Sequence, residues 1–385
     1  MSNTPSPSAL LIPSLSVANF AIGMGAFVVV GILSPIASDL EMTSAQAGWV
    51  MTSYAVAYLS SPVMVALTGR LERRVLLASG LALFALASVI AALAGDPATL
   101  FTARVMAAFG AGVVTPTAAA VAAAASAPEN RGKALAMAFM GLTLAQVLGV
   151  PIGAWVGYTY GWPYAFLMTA ALAALATCAV LVIVPRGLPF QATSLSALGD
   201  ALTHARTLLA IAFTALIMAA VYVLYTYVSP LVETRMGFDR DGVSLFLLAF
   251  GIGAVFGNLL GGWLTDRIGT TRTLVVVCLA QFAFLPVFSN LPVSNGVLYA
   301  VAFFWSVGGW CFAASQQARL VALAPEKANV MLALNAASIY VGVSIGAFIG
   351  GVVLEWFSMD ALGYAGVCIA ALALLTLFLT ERYGD

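Results

Sequence analysis

The sequence predicts an all-α membrane protein of twelve transmembrane helices arranged as two pseudo-symmetric six-helix halves, and three observations predict it. First, 62% of the 385 residues are hydrophobic and 8% are charged, too little polar surface to cover a soluble domain of that size. Second, apolar runs long enough to cross a hydrocarbon layer of roughly 30 Å recur along the chain, with a helical rather than an alternating period. Third, the chain repeats itself at one lag of 197 residues. Leu67, Thr68 and Arg70 return as Leu264, Thr265 and Arg267; Ala127-Pro128-Glu129 returns as Ala324-Pro325-Glu326; Gly149, Ile152 and Gly153 return as Gly346, Ile349 and Gly350. Duplicated membrane halves of this kind usually enclose a solute pathway.

The spans are expected near 14–37, 44–68, 75–95, 98–124, 131–157 and 162–184 in the first half, and near 207–232, 242–265, 272–291, 294–322, 328–355 and 361–380 in the second. Residues 1–13 read as an N-terminal tail whose opening Ser/Pro-rich stretch lacks the basic region and cleavage pattern of a signal peptide. The N-terminal half is placed at 14–184 and the C-terminal half at 207–385. Between them, 185–206 reads as a linker, with Pro185, Gly187, Pro189, Gly199 and the only histidine, His204.

Charge placement sets the expected orientation. With the N-terminus in the cytoplasm, twelve basic residues fall on the cytoplasmic side, among them Arg70, Arg73, Arg131, Lys133, Arg267, Arg272 and Arg382, against Arg235 and Arg240 outside. That asymmetry predicts both termini inside, in a multi-pass protein of a bacterial cytoplasmic (inner) membrane. Cys178, Cys278, Cys311 and Cys368 sit singly inside apolar spans and read as reduced core thiols. With one histidine, no Cys/His cluster and no phosphate-cradling Gly-x-x-x-x-Gly-Lys loop, the chain lacks the parts for hydrolysis or nucleophilic catalysis. It is expected to be no enzyme, with no cofactor and no metal.

Between spans eight and nine stands Gly262-Trp263-Leu264-Thr265-Asp266-Arg267-Ile268-Gly269-Thr270-Thr271-Arg272. It resembles the signature loop of the major facilitator superfamily, Gly-x-Leu-x-Asp-Arg-x-Gly-Arg-Arg. A carboxylate and guanidinia just beyond two helix ends can pair, cap carbonyls and hold a gate in one of two arrangements. The first-half copy, Leu67-Thr68-Gly69-Arg70-Leu71-Glu72-Arg73-Arg74, departs from the pattern: Gly69 replaces the acid and Glu72 the second glycine. The gate candidates are therefore Arg70, Glu72, Arg73, Asp266, Arg267 and Arg272.

Two further stretches carry the resemblance. Arg104 in span four, followed by small residues through Gly112, matches an arginine that the family associates with proton coupling. A guanidinium inside an apolar span needs a partner or a wet cavity, unless it snorkels to the interface. Span five carries Gly141 to Gly157, similar to the exporter-associated Gly-x-x-x-Gly-Pro-x-x-Gly-Gly element but with Val150 inserted before the proline and Ala154 for the last glycine. There Gly149 and Gly153 form a bare packing stripe, and Pro151 permits a bend. Asn130-Arg131-Gly132-Lys133 and Tyr225-Thr226-Tyr227-Val228-Ser229-Pro230 add to a likeness with the twelve-span drug and sugar proton-antiporter branch of bacterial exporters. That branch often has an acid after the span-one Ile-Gly, where this chain has Met24-Gly25.

None of the fifteen acids falls at mid-span; Glu233 and Glu355 come closest, near outer ends. With Arg104 they are the charged candidates for coupling, and each carboxylate also fits as an interfacial anchor. A cavity without fixed carboxylates suits neutral or weakly polar solutes better than cations. Phe27, Tyr54, Tyr58, Gln146, Tyr222, Tyr225, Trp310, Asn335 and Tyr340 reach central depth and are the substrate-binding candidates, although each also fits as a packing residue. The resemblance implies export of a sugar, nucleoside or neutral drug by alternating access in exchange for protons. An uncoupled facilitator or importer of the same fold, or a non-transporting sensor, stays open. The expected partners are a small-molecule substrate, protons and the bilayer, with no nucleic acid and a monomeric chain.

Overall fold

The computed structural model describes residues 9–69, 71–127, 130–187, 199–200 and 203–382. Among them run twelve helices long and apolar enough to span a bilayer. The first six are α1 (Leu11–Gly31), α2 (Ser44–Leu67), α3 (Arg73–Ala92), α4 (Pro97–Ala124), α5 (Arg131–Tyr160) and α6 (Trp162–Ile183). The second six are α7 (Ala205–Met236), α8 (Arg240–Ile268), α9 (Thr270–Phe288), α10 (Asn295–Leu323), α11 (Val330–Trp356) and α12 (Ala361–Arg382). Each lies within a few residues of its expected span, although α1 begins three residues early and most of the expected tail and linker falls outside the described residues. Successive helices alternate in direction, so Leu11 and Arg382 share one face of the bundle, the terminal face. On the opposite, far face the helix starts are capped from side chains: Thr43 and Gln46 exchange bonds ahead of α2, Asp96 accepts from the Thr99 amide and Asp239 from that of Gly242.

The duplication is legible in the packing. In the first half α1 packs on α5 and α6, α2 on α4, and α3 on α4 and α6; in the second, α7 packs on α11 and α12, α8 on α10, and α9 on α10 and α12. These are the same pairs displaced by six helices. The halves meet along two seams, α2 against α11 and α5 against α8. Helices α3, α6, α9 and α12 take no principal part in either seam, and their exposed Leu86, Leu175, Val182, Leu372 and Phe378 form a greasy outer surface suited to lipid.

Prolines explain most departures from twelve straight rods. Helix α1 was expected to reach residue 37, but it breaks at Ile32 and resumes as a short helix, Leu33–Asp39. Pro35 is the cause, because a continuous helix would drive its ring into the carbonyl of Gly31. Breaks at Leu59–Ser60 in α2 and Thr226–Tyr227 in α7 precede Pro62 and Pro230 in the same way. In α5, Ala145–Gly149 forms a π turn, the Val150 amide bonding to the Ala145 carbonyl. A π turn holds one residue more than an α turn, so Val150, the extra residue relative to the exporter element, is absorbed here. From its last residue on, Gly149, Gly153 and Gly157 face Met24 and Val28 of α1 and Ile32 at its break, with Pro151 buried beside them.

The seams are closed toward the far face and parted toward the terminal face. Helix α8 lies close against the π turn and Val150–Tyr160 of α5 but hardly touches Arg131–Leu144; α11 lies close against Ser44–Tyr58 of α2 but hardly touches Ser61–Leu67. Far-face closure is bonded: the Ser229 hydroxyl donates to the Val30 carbonyl at 2.6 Å, and Arg240 donates to Thr159 at 3.2 Å. The Tyr227 ring occupies the place a side chain at Gly48 would need, and its hydroxyl donates to the Ala347 carbonyl at 2.6 Å. Deeper in, Gly251 of α8 rests on the α5 backbone, where an added Cβ would stand 2.6 Å from the Gln146 carbonyl oxygen and from Val147 Cα.

Gly251→Ala is therefore expected to push α8 off α5 and cost about 1–3 kcal/mol, read as a lower Tm of the detergent-purified protein. Gly262→Ala, with open space around the new methyl, is the control and should leave the Tm unchanged or raised.

Candidate functional site

At mid-depth the seam is filled by rings. Tyr58 of α2 stacks on Tyr340 of α11 with centroids 3.7 Å apart, Tyr54 lies 6.2 Å from Tyr58 and 6.5 Å from Tyr340, and Phe27 of α1 lies 6.2 Å from Tyr222 of α7. Tyr222 meets Tyr225 edge-on at 5.6 Å, and Tyr225 stacks on Phe250 at 4.2 Å. Gln146, projected from the π turn, is 3% exposed and lies against Tyr222, its Oε1 without a partner among the described atoms. Six of the nine expected ligand-contacting residues thus stand in two ring clusters, Tyr54–Tyr58–Tyr340 and Phe27–Tyr222–Tyr225, with Gln146 beside the second. Trp310 joins through the wall of a slot it shares with Met218, Tyr222, Phe250, Trp305 and Ser306. The slot leaves space of about 10 Å³, enough for a single water.

Asn335 is drawn elsewhere. Its Oδ1 accepts from the Thr214 hydroxyl at 2.7 Å, and Gln316 Nε2 donates to the Thr214 hydroxyl at 3.0 Å and to the Ala210 carbonyl at 2.7 Å. This network ties α7 to α10 and α11, which is what a buried amide in hydrocarbon does when partners are near. Four residues that the sequence did not single out complete the second cluster: Phe250, Trp305, Ser306 and Gln281. Gln281 accepts from Trp305 Nε1 at 2.8 Å, and Ser306 is fully buried with its hydroxyl unpartnered among the described atoms. An isolated Gln in the apolar run of α9 was the available signal for this pair.

Arg104 lies beneath the rings, 2% exposed. Its Nη1 donates to the Gly25 carbonyl at 2.6 Å and its Nη2 to the Ala26 carbonyl at 3.1 Å, while its guanidinium carbon stands 4.3 Å over the Tyr54 ring. The partner demanded of a charge in hydrocarbon is therefore the α1 backbone together with a π face, and the residue does not snorkel. The carbonyls it uses sit beside the position where the exporter branch often carries an acid. Carbonyls inside a helix keep a second lone pair for such a donor.

The other charged candidates are peripheral. Glu233 lies half-buried on the far-face seam and accepts a hydrogen bond from the Tyr158 hydroxyl of α5. Glu355, exposed near the far-face end of α11, lies close enough to Tyr227 to act on it electrostatically. At the terminal face Asp266, Arg267 and Arg272 are exposed, and Arg267 stands 5.2 Å over the Trp263 ring instead of bridging to Asp266. Among the described residues no ion pair joins the three in this conformation. Arg73 is buried, 3% exposed, and Arg70 lies outside the described residues. Gly269 has φ 86°, a backbone open to glycine; Glu72, its counterpart 197 residues earlier, adopts an extended φ of −60° and ψ of 131° before α3. The two loops therefore cannot share one conformation.

A paired six-helix bundle, closed at one face and parted at the other around a ring-lined centre, is the build of a secondary transporter and not of an enzyme. The chain belongs to the Major Facilitator Superfamily, whose family pattern matches residues 15–331 and, overlapping, 237–385. It is 31% identical over 368 residues to the MFS-type transporter YbcL of Bacillus subtilis (strain 168), covering 94% of each chain. It is 29% identical over 377 residues to the inner membrane transport protein YdhP of Escherichia coli (strain K12), covering 96% of this chain and 95% of that one. In fold it resembles a bacterial homolog of the human lysosomal transporter Spinster in an inward-facing, occupied conformation, with a TM-score of 0.80 at 14% identity over 99% of this chain and 98% of that one. It also resembles the nucleoside transporter NupG, with a TM-score of 0.75 at 14% identity over 97% and 98% of the two chains. The protein is a multi-pass membrane transporter with a small-molecule substrate, working in a lipid bilayer.

Substitutions at Arg104 should separate charge from shape. Arg104→Lys leaves a buried ammonium with poorer reach to two carbonyls, whereas Arg104→Met removes the charge and keeps the bulk. The lysine variant is expected to be less stable than the methionine variant by about 1–3 kcal/mol, measured by thermal unfolding in detergent.

Proposed function

We propose that this transporter exports a small neutral or amphipathic organic molecule, such as a sugar, a nucleoside or a neutral drug, in exchange for protons. The terminal face is assigned to the cytoplasm of a bacterium, on the basic residues that border it, and the protein works as a monomer in the inner membrane. The conformation described is then inward-open. One observation carries the substrate class: the rings from Phe27 to Trp310, with Gln146 and Ser306, offer stacking faces and neutral hydrogen-bonding groups, and Arg104 is the charge nearest them. Such a surface binds a flat or CH-rich neutral solute and gives a cation no counter-ion. Alternating access comes from rocking of the N-terminal half, 14–184, against the C-terminal half, 207–385, about the α5–α8 and α2–α11 seams. Asp266, Arg267 and Arg272, with Arg70, Glu72 and Arg73, form the inner gate. Arg104 positions α1 during coupling.

A facilitator or importer of the same fold is the second reading, favoured by Met24-Gly25 in place of the span-one acid and by the lack of a carboxylate at mid-depth among the described residues. Proteoliposomes decide between them. With a screened solute that raises the Tm of the purified protein, an imposed pH gradient should drive uphill accumulation if transport is proton-coupled and only equilibration if it is not. Tyr222→Ala or Trp310→Ala should lower transport of that solute about tenfold, matching the roughly 1–1.5 kcal/mol of an aromatic contact. Unchanged transport in both variants would overturn the assignment of the site.

A further inference from the structure

Among the described residues, the far-face seam holds one carboxylate whose bond crosses between the halves. Glu233, in the last turns of α7, accepts from the Tyr158 hydroxyl at the end of α5, with Ser34 of the short helix after α1 beside that hydroxyl. The neighbouring charges are committed to other partners. Arg235, on the same helix as Glu233, is bridged to Asp360 at 2.6 Å; Arg240 of α8 is bridged to Asp241 at 2.8 Å and lies 5.1 Å over the Trp155 ring; Asp239 caps α8; Glu355 of α11 faces Tyr227. Glu233 is thus held, among the described residues, by a neutral phenol alone.

We propose that Glu233 is a proton-binding site that controls the outer mouth: ionised, it clasps Tyr158 and keeps the mouth shut, and protonated from outside, it lets the halves part. The reasoning is one of acceptor strength. A carboxylate accepts a phenol hydrogen bond about twice as strongly as a neutral acid does, and at a half-exposed seam water can replace the weaker bond. The site lies near the far-face end of its helix, away from any route to the terminal face, so it gates and does not carry protons across. This rests on the orientation assigned above, but it requires neither a known solute nor proton-coupled export.

Leu93 and Phe357 are exposed at the far-face ends of α3 and α11, one in each half and both away from the clasp. Spin labels at Leu93→Cys and Phe357→Cys, in a background with the four native cysteines replaced, report the separation of the halves in nanodiscs without any substrate. Between about pH 7 and about pH 3.3, a range that spans ordinary carboxylate titration, the ratio of open to closed distances should rise up to about tenfold in the otherwise unaltered protein. Glu233→Gln and Tyr158→Phe should show the raised open fraction at both pH values. Arg240→Gln, which loosens the same seam through a group that does not titrate in this range, should keep the pH response. A Glu233→Gln protein that still opens on acidification, or a parent protein whose distances ignore pH, overturns the proposal. A pH-gated mouth with no proton-driven uptake in proteoliposomes would uphold this site and refute proton-coupled export.

Discussion

The rest of the structure depends on the contact of Gly251 with the carbonyl of Gln146. There two helices from opposite halves touch backbone to backbone, with no side chain between them. In hydrocarbon no hydrophobic force draws one helix to another, so close approach and dispersion must hold the halves together, and Gly251 permits such an approach on α5–α8. On one side of that point the seam is knitted by Ser229, Tyr227, Tyr158 and Arg240; on the other the helix ends diverge. A contact that is tight at mid-depth and carries no directional bond can act as a pivot.

The pivot also locates the chemistry. Gln146, whose carbonyl supports Gly251, points its amide toward Tyr222, and the π turn that places it exists because α5 must store one residue more than a regular helix would. Arg104 supplies a second constraint from below, holding α1 by two carbonyls near its middle. Both its Nη groups are spent on backbone carbonyls and its face on a ring, while its buried Nε keeps no partner among the described atoms. The rings above it offer stacking and neutral hydrogen bonds.

How much of this was legible in the sequence follows from the range of each interaction. Span positions, the duplication and the membrane setting depend on composition and period, and the helix pairs recur as the 197-residue lag requires. The aromatic cluster was legible because large rings at central depth on α1, α2, α7 and α11 have few places to go. The bonding of Asn335 was not legible, because a sequence shows that an amide is buried but not that Thr214 and Gln316 are there to receive it. The Tyr158–Glu233 clasp was invisible because its members lie 75 residues apart on helices whose contact only the seam creates. The signature loop was readable as a motif, yet its ionic latch depends on which face is closed, and that is a property of the conformation.

One asymmetry between the halves reaches further than its size suggests. Gly269 turns the chain through a left-handed torsion, whereas Glu72 at the equivalent corner is extended, so the two repeats enter their third helix along different paths. The same repeat is thus written with two different corners, and a charged side chain stands at one where the other has bare backbone.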